Sequence, residues 1–284
     1  MPHFLLDYPG QTGVRLDYTD CGEGSPPVVL VHGFSCARSD WQHQLQALSS
    51  THRTIAVDLP GHGTSTRQVP GCRIEYLGKH LAALLDQLDL RQVILVGHSM
   101  GCRVILQATL GVADRVAALV MVEGSRIGQG DGTAREAEIE AICEGDGFAS
   151  LVRAVLGDTF VGNQFADGPG HPLETGIIAR GEALDPQTGT RLFASMLRWD
   201  AETLEPALRK LDCPITAIQS TRVNADRKRI TLGPGDTTTW LDLIRQRSPD
   251  ARIKLMYGFG HFIMLEAPQE VTSWIRSVAS TGTA

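Results

Sequence analysis

Ser99 lies between two glycines in the stretch "LVGHSMGC", Leu95 to Cys102, directly after an apolar run and directly before a helical pattern. Gly-x-Ser-x-Gly has meaning in that strand–turn–helix setting. There the turn is so tight that side chains flanking the serine would collide, which accounts for Gly97 and Gly101. The serine is forced into a strained conformation that lifts its hydroxyl above the strand ends. The N–H of Met100, first in the new helix, then faces the place where negative charge develops during attack on a carbonyl. A serine hydroxyl is a poor nucleophile until a base takes its proton, and imidazole titrates in the right range. Of the nine histidines, His261 alone combines a glycine-flanked loop after a strand, "GFGHFIMLEAP", with a place near the end of the chain. In "VHGFS", Gly33 lets the chain turn closely over the site, so that the Phe34 N–H becomes the second oxyanion donor. His32 reads as a packing residue of that loop and His62, in "DLPGHGTS", as a loop stabiliser. His98, inside the elbow, is expected to point away from the serine.

The elements that must position these groups alternate. "VRLDYTD" (14–20) has the period of a half-buried strand, and "PPVVLVHG" is a short apolar run suited to a buried parallel strand. A helix follows from Ser39, its N-cap, to Leu48; then come the strand "RTIAVDLPG" and the helix "IEYLGKHLAALLDQL". "QVILVG" is a strand, "SMGCRVILQATL" a helix and "VAALVMVEG" a strand. Such alternation implies βαβ units and a parallel sheet covered on both faces. From Ser125 to about Leu211 strand signals stop. Helical fragments ("AREAEIEAICE", "FASLVRAVLG", "TGTRLFASMLRW", "AETLEPALRKL") are broken by turns such as "FADGPGHP". The sheet pattern resumes with "PITAIQS", a helix near Thr239–Gln246 and the strand "RIKLMYG", and closes on the helical "VTSWIRSVAS".

Taken together, the strand ending in His-Gly, "DLPGHGTS", "GHSMG", a helical insertion and "GHFIMLEAP" resemble the α/β-hydrolase fold superfamily over nearly the whole chain. The resemblance implies an α/β fold, an eight-stranded, mostly parallel sheet flanked by helices. The core would comprise 1–124 and 212–284, with a helical cap insertion at 125–211, and the site would lie at the strands' carboxyl ends beneath the cap. In many members the triad acid follows the strand after the cap, in a pattern like strand-Gly-x-x-Asp. Here "PITAIQSTRVNADRKR" puts Ser220 at the glycine position and Val223 at the aspartate position, with Asp226 three residues late beside Arg227, Lys228 and Arg229. Other members, haloalkane dehalogenases, zearalenone lactonases and cofactor-free quinolone dioxygenases among them, carry the acid at the end of the strand after the elbow helix. That position is Glu123, which closes "VAALVMVEG". A carboxylate there needs a partner, because an unpaired buried charge is costly. His261 would provide one and would have its tautomer fixed in return; a salt bridge to Arg126 would serve equally. Glu123 and Asp226 both stand as candidates.

The expected reaction is hydrolysis of a small-molecule carboxylic ester or lactone through an acyl-enzyme on Ser99. A carbon–carbon bond hydrolase is the alternative, followed by a cofactor-free oxygenase or perhydrolase, and then by a ligand receptor on the same scaffold. Serine in place of aspartate at the elbow disfavours haloalkane dehalogenation. No cofactor is required and no metal-ligand cluster is visible. Arg38 and Trp41 lie just past the Phe34 loop, either lining the pocket or starting a helix. Phe148, Leu151, Phe160, Phe193, Met196 and Trp199 are spaced for helix packing, with a few of them lining an apolar pocket. Over 284 residues, 42% hydrophobic and 20% charged residues suit one large globular unit. A net charge of -6 argues against nucleic acid as a partner. The longest apolar run, Val116–Val122, is too short for a membrane span, and "MPHFLLDYPGQTG" lacks the marks of a leader, so a cytoplasmic setting is expected. Six scattered cysteines without CxxC spacing read as reduced thiols.

Overall fold

The computed structural model describes residues 2–8, 10–145, 147–157, 159–161, 171–224, 226 and 228–281. Its strands are β1 (His3–Tyr8), β2 (Gln11–Cys21), β3 (Val28–Val31), β4 (Thr54–Asp58), β5 (Val93–His98), β6 (Val116–Val122), β7 (Ile215–Gln219), β8 (Thr221–Val223), β9 (Arg229–Thr231) and β10 (Arg252–Leu255). Its helices are α1 (Gln42–Leu48), α2 (Ile74–Gln87), α3 (Met100–Thr109), α4 (Gly132–Ile142), α5 (Gly147–Gly157), α6 (Pro172–Glu182), α7 (Pro186–Glu202), α8 (Leu204–Lys210), α9 (Thr239–Arg247), α10 (Ile263–Glu266) and α11 (Pro268–Thr281).

Eight strands form one sheet in the order β1-β2-β4-β3-β5-β6-β7-β10. β1 and β2 join it antiparallel, and the strands from β4 to β10 run parallel. Helices cover both faces of the parallel strands, so these lack a solvated side. The runs VVLV and VILVGH are fully buried, and VAALVMV nearly so. In α2, Leu77, Leu81, Leu84 and Leu85 make the buried stripe that the helical period requires. Strand order and register place the site. β5 lies between β3 and β6, with Val31 opposite Gly97 and His98 opposite Val122. The residues leaving β3, β5 and β6 therefore emerge side by side.

Among the described residues, the chain between β6 and β7 is helical, from α4 to α8. α4 packs on α7 and α5 on α6, while α8 rests on α3 and α9. Residues 165–170 of the turn read at "FADGPGHP" lie outside the described residues. One local expectation is corrected, and two further elements add to the sequence reading. Ser39 is not a helix cap: a short 3-10 turn spans Arg38–Trp41, Asp40 accepts from the Ala37 N–H at 2.9 Å, and α1 starts only at Gln42. "HFLLDY" is a strand, paired edge to edge with β2. The stretch after β7 is an antiparallel hairpin, β8 with β9. The six cysteines are free thiols, and no helix of the described residues is long and apolar enough to cross a membrane.

Candidate active site

Ser99 follows β5 and precedes α3 with φ of 52° and ψ of -112°, a conformation that non-glycine residues rarely adopt. Its N–H is tied to the Val122 carbonyl of the neighbouring strand at 2.9 Å. The flanking glycines are required by contact. A Cβ on Gly97 would lie 2.6 Å from the Gly101 backbone, and one on Gly101 would lie 2.4 Å from the Val31 carbonyl oxygen. Gly33 comes close as well, since a Cβ there would stand 3.1 Å from Ser99 Cβ. Phe34 N–H and Met100 N–H find no acceptor among the described residues.

Ser99, His98, His261 and Phe34 line a cavity of about 200 Å³ whose remaining wall is mostly apolar, with Leu156, Phe193, Met196 and Phe262. Phe193 and Met196 are thus the members of the helical set that reach the cavity. Trp199 is buried elsewhere, its Nε1 donating to Gln107 Oε1 at 2.8 Å, and Phe160 stacks on Phe262. Arg38 and Trp41 do not line it: Arg38 pairs with Asp58, and Trp41 is fully buried.

His261 Nδ1–H donates to Glu123 Oε2 at 3.1 Å, which leaves Nε2 as the basic nitrogen. No hydrogen bond joins Ser99 Oγ to His261; the two share the cavity wall. Glu123 is wholly buried and has φ of 53°, like Ser99. Its Oε1 accepts from Ser220 N–H, from Ser220 Oγ at 3.0 Å and from Thr221 N–H at 3.2 Å, and its Oε2 accepts from the Thr221 hydroxyl. Arg229 Nη1 stands 3.9 Å from Oε2 and donates to Thr221 Oγ1 at 2.8 Å. Burial raises the Glu123 pKa, against the opposing pull of Arg229 and of these hydrogen bonds. Burial also holds His261 well below the usual imidazole range, assisted by the Arg229 and Arg103 cations. Every hydrogen bond that Glu123 makes is one it accepts, the arrangement of a carboxylate beside a neutral imidazole.

Asp226 is exposed between β8 and β9, and no hydrogen bond or ion pair joins it to His261. Arg126 does not pair with Glu123 either. The polar triplet Gln219-Ser220-Thr221, which closes the apolar run of β7, is the sequence signal that the segment lacking an aspartate supplies donors instead.

Three other buried histidines, His32, His62 and His98, are held neutral. His32 Nδ1–H donates to the Gly33 carbonyl at 2.8 Å, and its Nε2 accepts from Leu59 N–H at 3.0 Å. His62 Nε2 accepts from Ser35 N–H at 3.3 Å. His98 is among the residues of the cavity wall, and its Nε2–H donates to the His261 carbonyl at 2.8 Å. Burial pushes all three down to about 3. The His261 N–H in turn donates to the Thr159 carbonyl at 3.2 Å.

Residues 28–274 match the model of the alpha/beta hydrolase family. The chain belongs to that family. Within it, the chain is similar to the dihydrolipoyllysine-residue acetyltransferase component of the acetoin cleaving system of Pseudomonas putida, 40% identical over 108 residues, or 38% of this chain and 29% of that protein. It is also similar to 2-hydroxy-6-oxononadienedioate/2-hydroxy-6-oxononatrienedioate hydrolase of Escherichia coli, 33% identical over 116 residues, or 39% of this chain and 40% of that one. The matched part thus spans less than half of these curated relatives. Among solved structures, a thermophilic esterase from Thermogutta terrifontis superposes with a TM-score of 0.77 over 98% of this chain and 100% of that chain; at 21% identity the likeness is one of fold. This alpha/beta hydrolase shares its eight-stranded, mostly parallel sheet with that esterase fold.

Proposed function

We propose that this alpha/beta hydrolase cleaves a carboxylic ester or lactone through an acyl-enzyme on Ser99. The observation that carries the reading is the hydrogen bond of 3.1 Å from His261 to Glu123, with His261 lining the same cavity as the strained Ser99. Ser99 Oγ attacks the carbonyl carbon and passes its proton to His261 Nε2. Glu123 balances the imidazolium that forms. The N–H groups of Phe34 and Met100 hold the oxyanion. Collapse expels the alcohol, which takes the proton from His261, and water repeats the sequence to free the acid. A lactone follows the same course with its alcohol still tethered.

Short p-nitrophenyl esters test this. Wild type should turn them over, Ser99→Ala should lose about 10³-fold or more, and a fluorophosphonate should label wild type alone. Absence of both turnover and labelling would remove the reading. Hydrolysis of a carbon–carbon bond is the second reading, suggested by the Escherichia coli relative. It is favoured if wild type cleaves a vinylogous 1,5-diketone faster than any ester.

A further inference from the structure

A second cavity, of about 320 Å³, adjoins the first, and Ser125, Ile127 and Arg229 line both. Its character is different. Arg126, Arg222, Gln219, Trp240 and the threonines at the start of α9 make its wall. Three polar atoms there are buried without a hydrogen-bond partner: Arg126 Nε, Trp240 Nε1 and Gln219 Oε1. Trp240 is 1% exposed and Gln219 2%, so bulk water does not compensate them. The indole nitrogen packs over Gly124, where a Cβ would come within 2.3 Å of it. The carboxylates nearby are already engaged. Asp236 pairs with Arg222 at 3.0 Å, Asp242 with Arg245 at 3.1 Å, and Glu123 is turned to His261. Among the described residues, no carboxylate pairs with Arg126.

We infer that this second cavity is a subsite for a carboxylate on the far end of the substrate, held by Arg126 and the Trp240 N–H while the ester carbonyl lies at Ser99. The inference rests on the assignment of Ser99 as nucleophile. A guanidinium and an indole N–H are both donors without acceptors of their own, and a carboxylate supplies two acceptor oxygens. Gln219 adds an acceptor to the same wall. Its Nε2 donates to the Thr221 carbonyl at 3.0 Å, which fixes the amide so that Oε1 is the acceptor left over. A ligand end that carries a hydroxyl beside its carboxylate satisfies that oxygen as well. The apolar wall near Ser99 takes the hydrocarbon between the two ends.

The test compares mono-p-nitrophenyl esters of straight-chain diacids, succinate to suberate, with the same esters methylated at the far carboxyl. Wild type should prefer the free acid at one chain length by about tenfold or more in kcat/KM, chiefly through KM. Arg126→Gln should bring that ratio to about one, Arg126→Lys should keep part of it, and Arg135→Gln, on the exposed face of α4, should keep all of it. Calorimetry with the free diacids and Ser99→Ala protein reads the subsite without chemistry: binding should be seen, and it should be lost when Arg126→Gln is added. If no ester is hydrolysed yet the diacid binds through Arg126, the esterase reading fails and the subsite stands. A ratio near one at every length in wild type, a ratio that Arg126→Gln leaves unchanged, or diacid binding indifferent to Arg126 overturns the subsite.

Discussion

Glu123 holds a charge where no water reaches it because donors from Ser220 and Thr221 converge on both of its oxygens. Glutamine at 123 keeps the shape but offers an amide NH₂ to donors that need an acceptor, and it no longer balances an imidazolium. Glu123→Gln should therefore lower kcat by about 10³- to 10⁴-fold in steady-state assays, with Asp226→Asn near wild type. The reverse result would move the acid to Asp226. The pH profile is set by the same cluster. A general base works when neutral, and the His261 pKa is depressed, so the acid limb of kcat/KM should lie below 6.5. The groups acting on that imidazole are Glu123, Arg229, Arg103 and the buried His98. Removing one of the cations in Arg229→Gln should move the limb upward, toward 6.5; a limb that stays or falls would contradict this account.

At the scale of elements, the parallel strands could be read from sequence because burial on both faces leaves an uninterrupted apolar run, as in VILV of β5. The elbow could be read because two glycines at a strand–helix junction have a steric reason. β1 escaped notice because an edge strand with one solvated face carries little pattern: His3 and Leu5 face outward while Phe4 and Tyr8 are buried. The hairpin of β8 and β9 was hidden by its short, polar strands, whose partner is each other rather than the core. Glu123 and Asp226 could not be separated without knowing that β6 and β7 are neighbours, which is what brings Ser220 and Thr221 to Glu123. Nor does any local pattern announce the link between α3 and α7. Arg103 meets Asp200 through Nε at 2.8 Å and Nη2 at 2.6 Å, both side chains being almost fully buried. Asp200 also accepts from the N–H groups of Ile127 and Gly128, at 2.7 and 3.2 Å. Asp200→Asn would strand a buried guanidinium and should cost about 3–5 kcal/mol in chemical denaturation, whereas a cost below about 1 kcal/mol would show the pair to be dispensable.

Across the whole molecule, buried histidines tie stability to pH. Burial pushes His32, His62 and His98 down to about 3 and His80 to about 4. The unfolded chain binds a proton at each of them near pH 6.5, whereas the folded chain resists it. Stability is therefore full above about pH 6.5 and falls as pH drops toward 3, by roughly 1.4 kcal/mol per pH unit for each histidine in that window. Unfolding midpoints measured from pH 7 to pH 4 should decline steeply, and His80→Phe, away from the cavity, should lessen the slope. A flat profile would mean that these rings are protonated in the folded state.

The Arg103–Asp200 link also bears on how such a molecule can be diversified. The helix that carries Arg103 starts at the turn of Ser99, and Asp200 lies near the end of the helical segment between β6 and β7. A chimera that trades this segment for that of another hydrolase thus has a natural seam. Exchanges that keep Asp200 and the turn through Ile127 and Gly128 retain the anchor, while those that cut inside it strand a cation beside Ser99. A segment exchanged between Gly128 and Asp200 should leave the turn at Ser99 undisturbed.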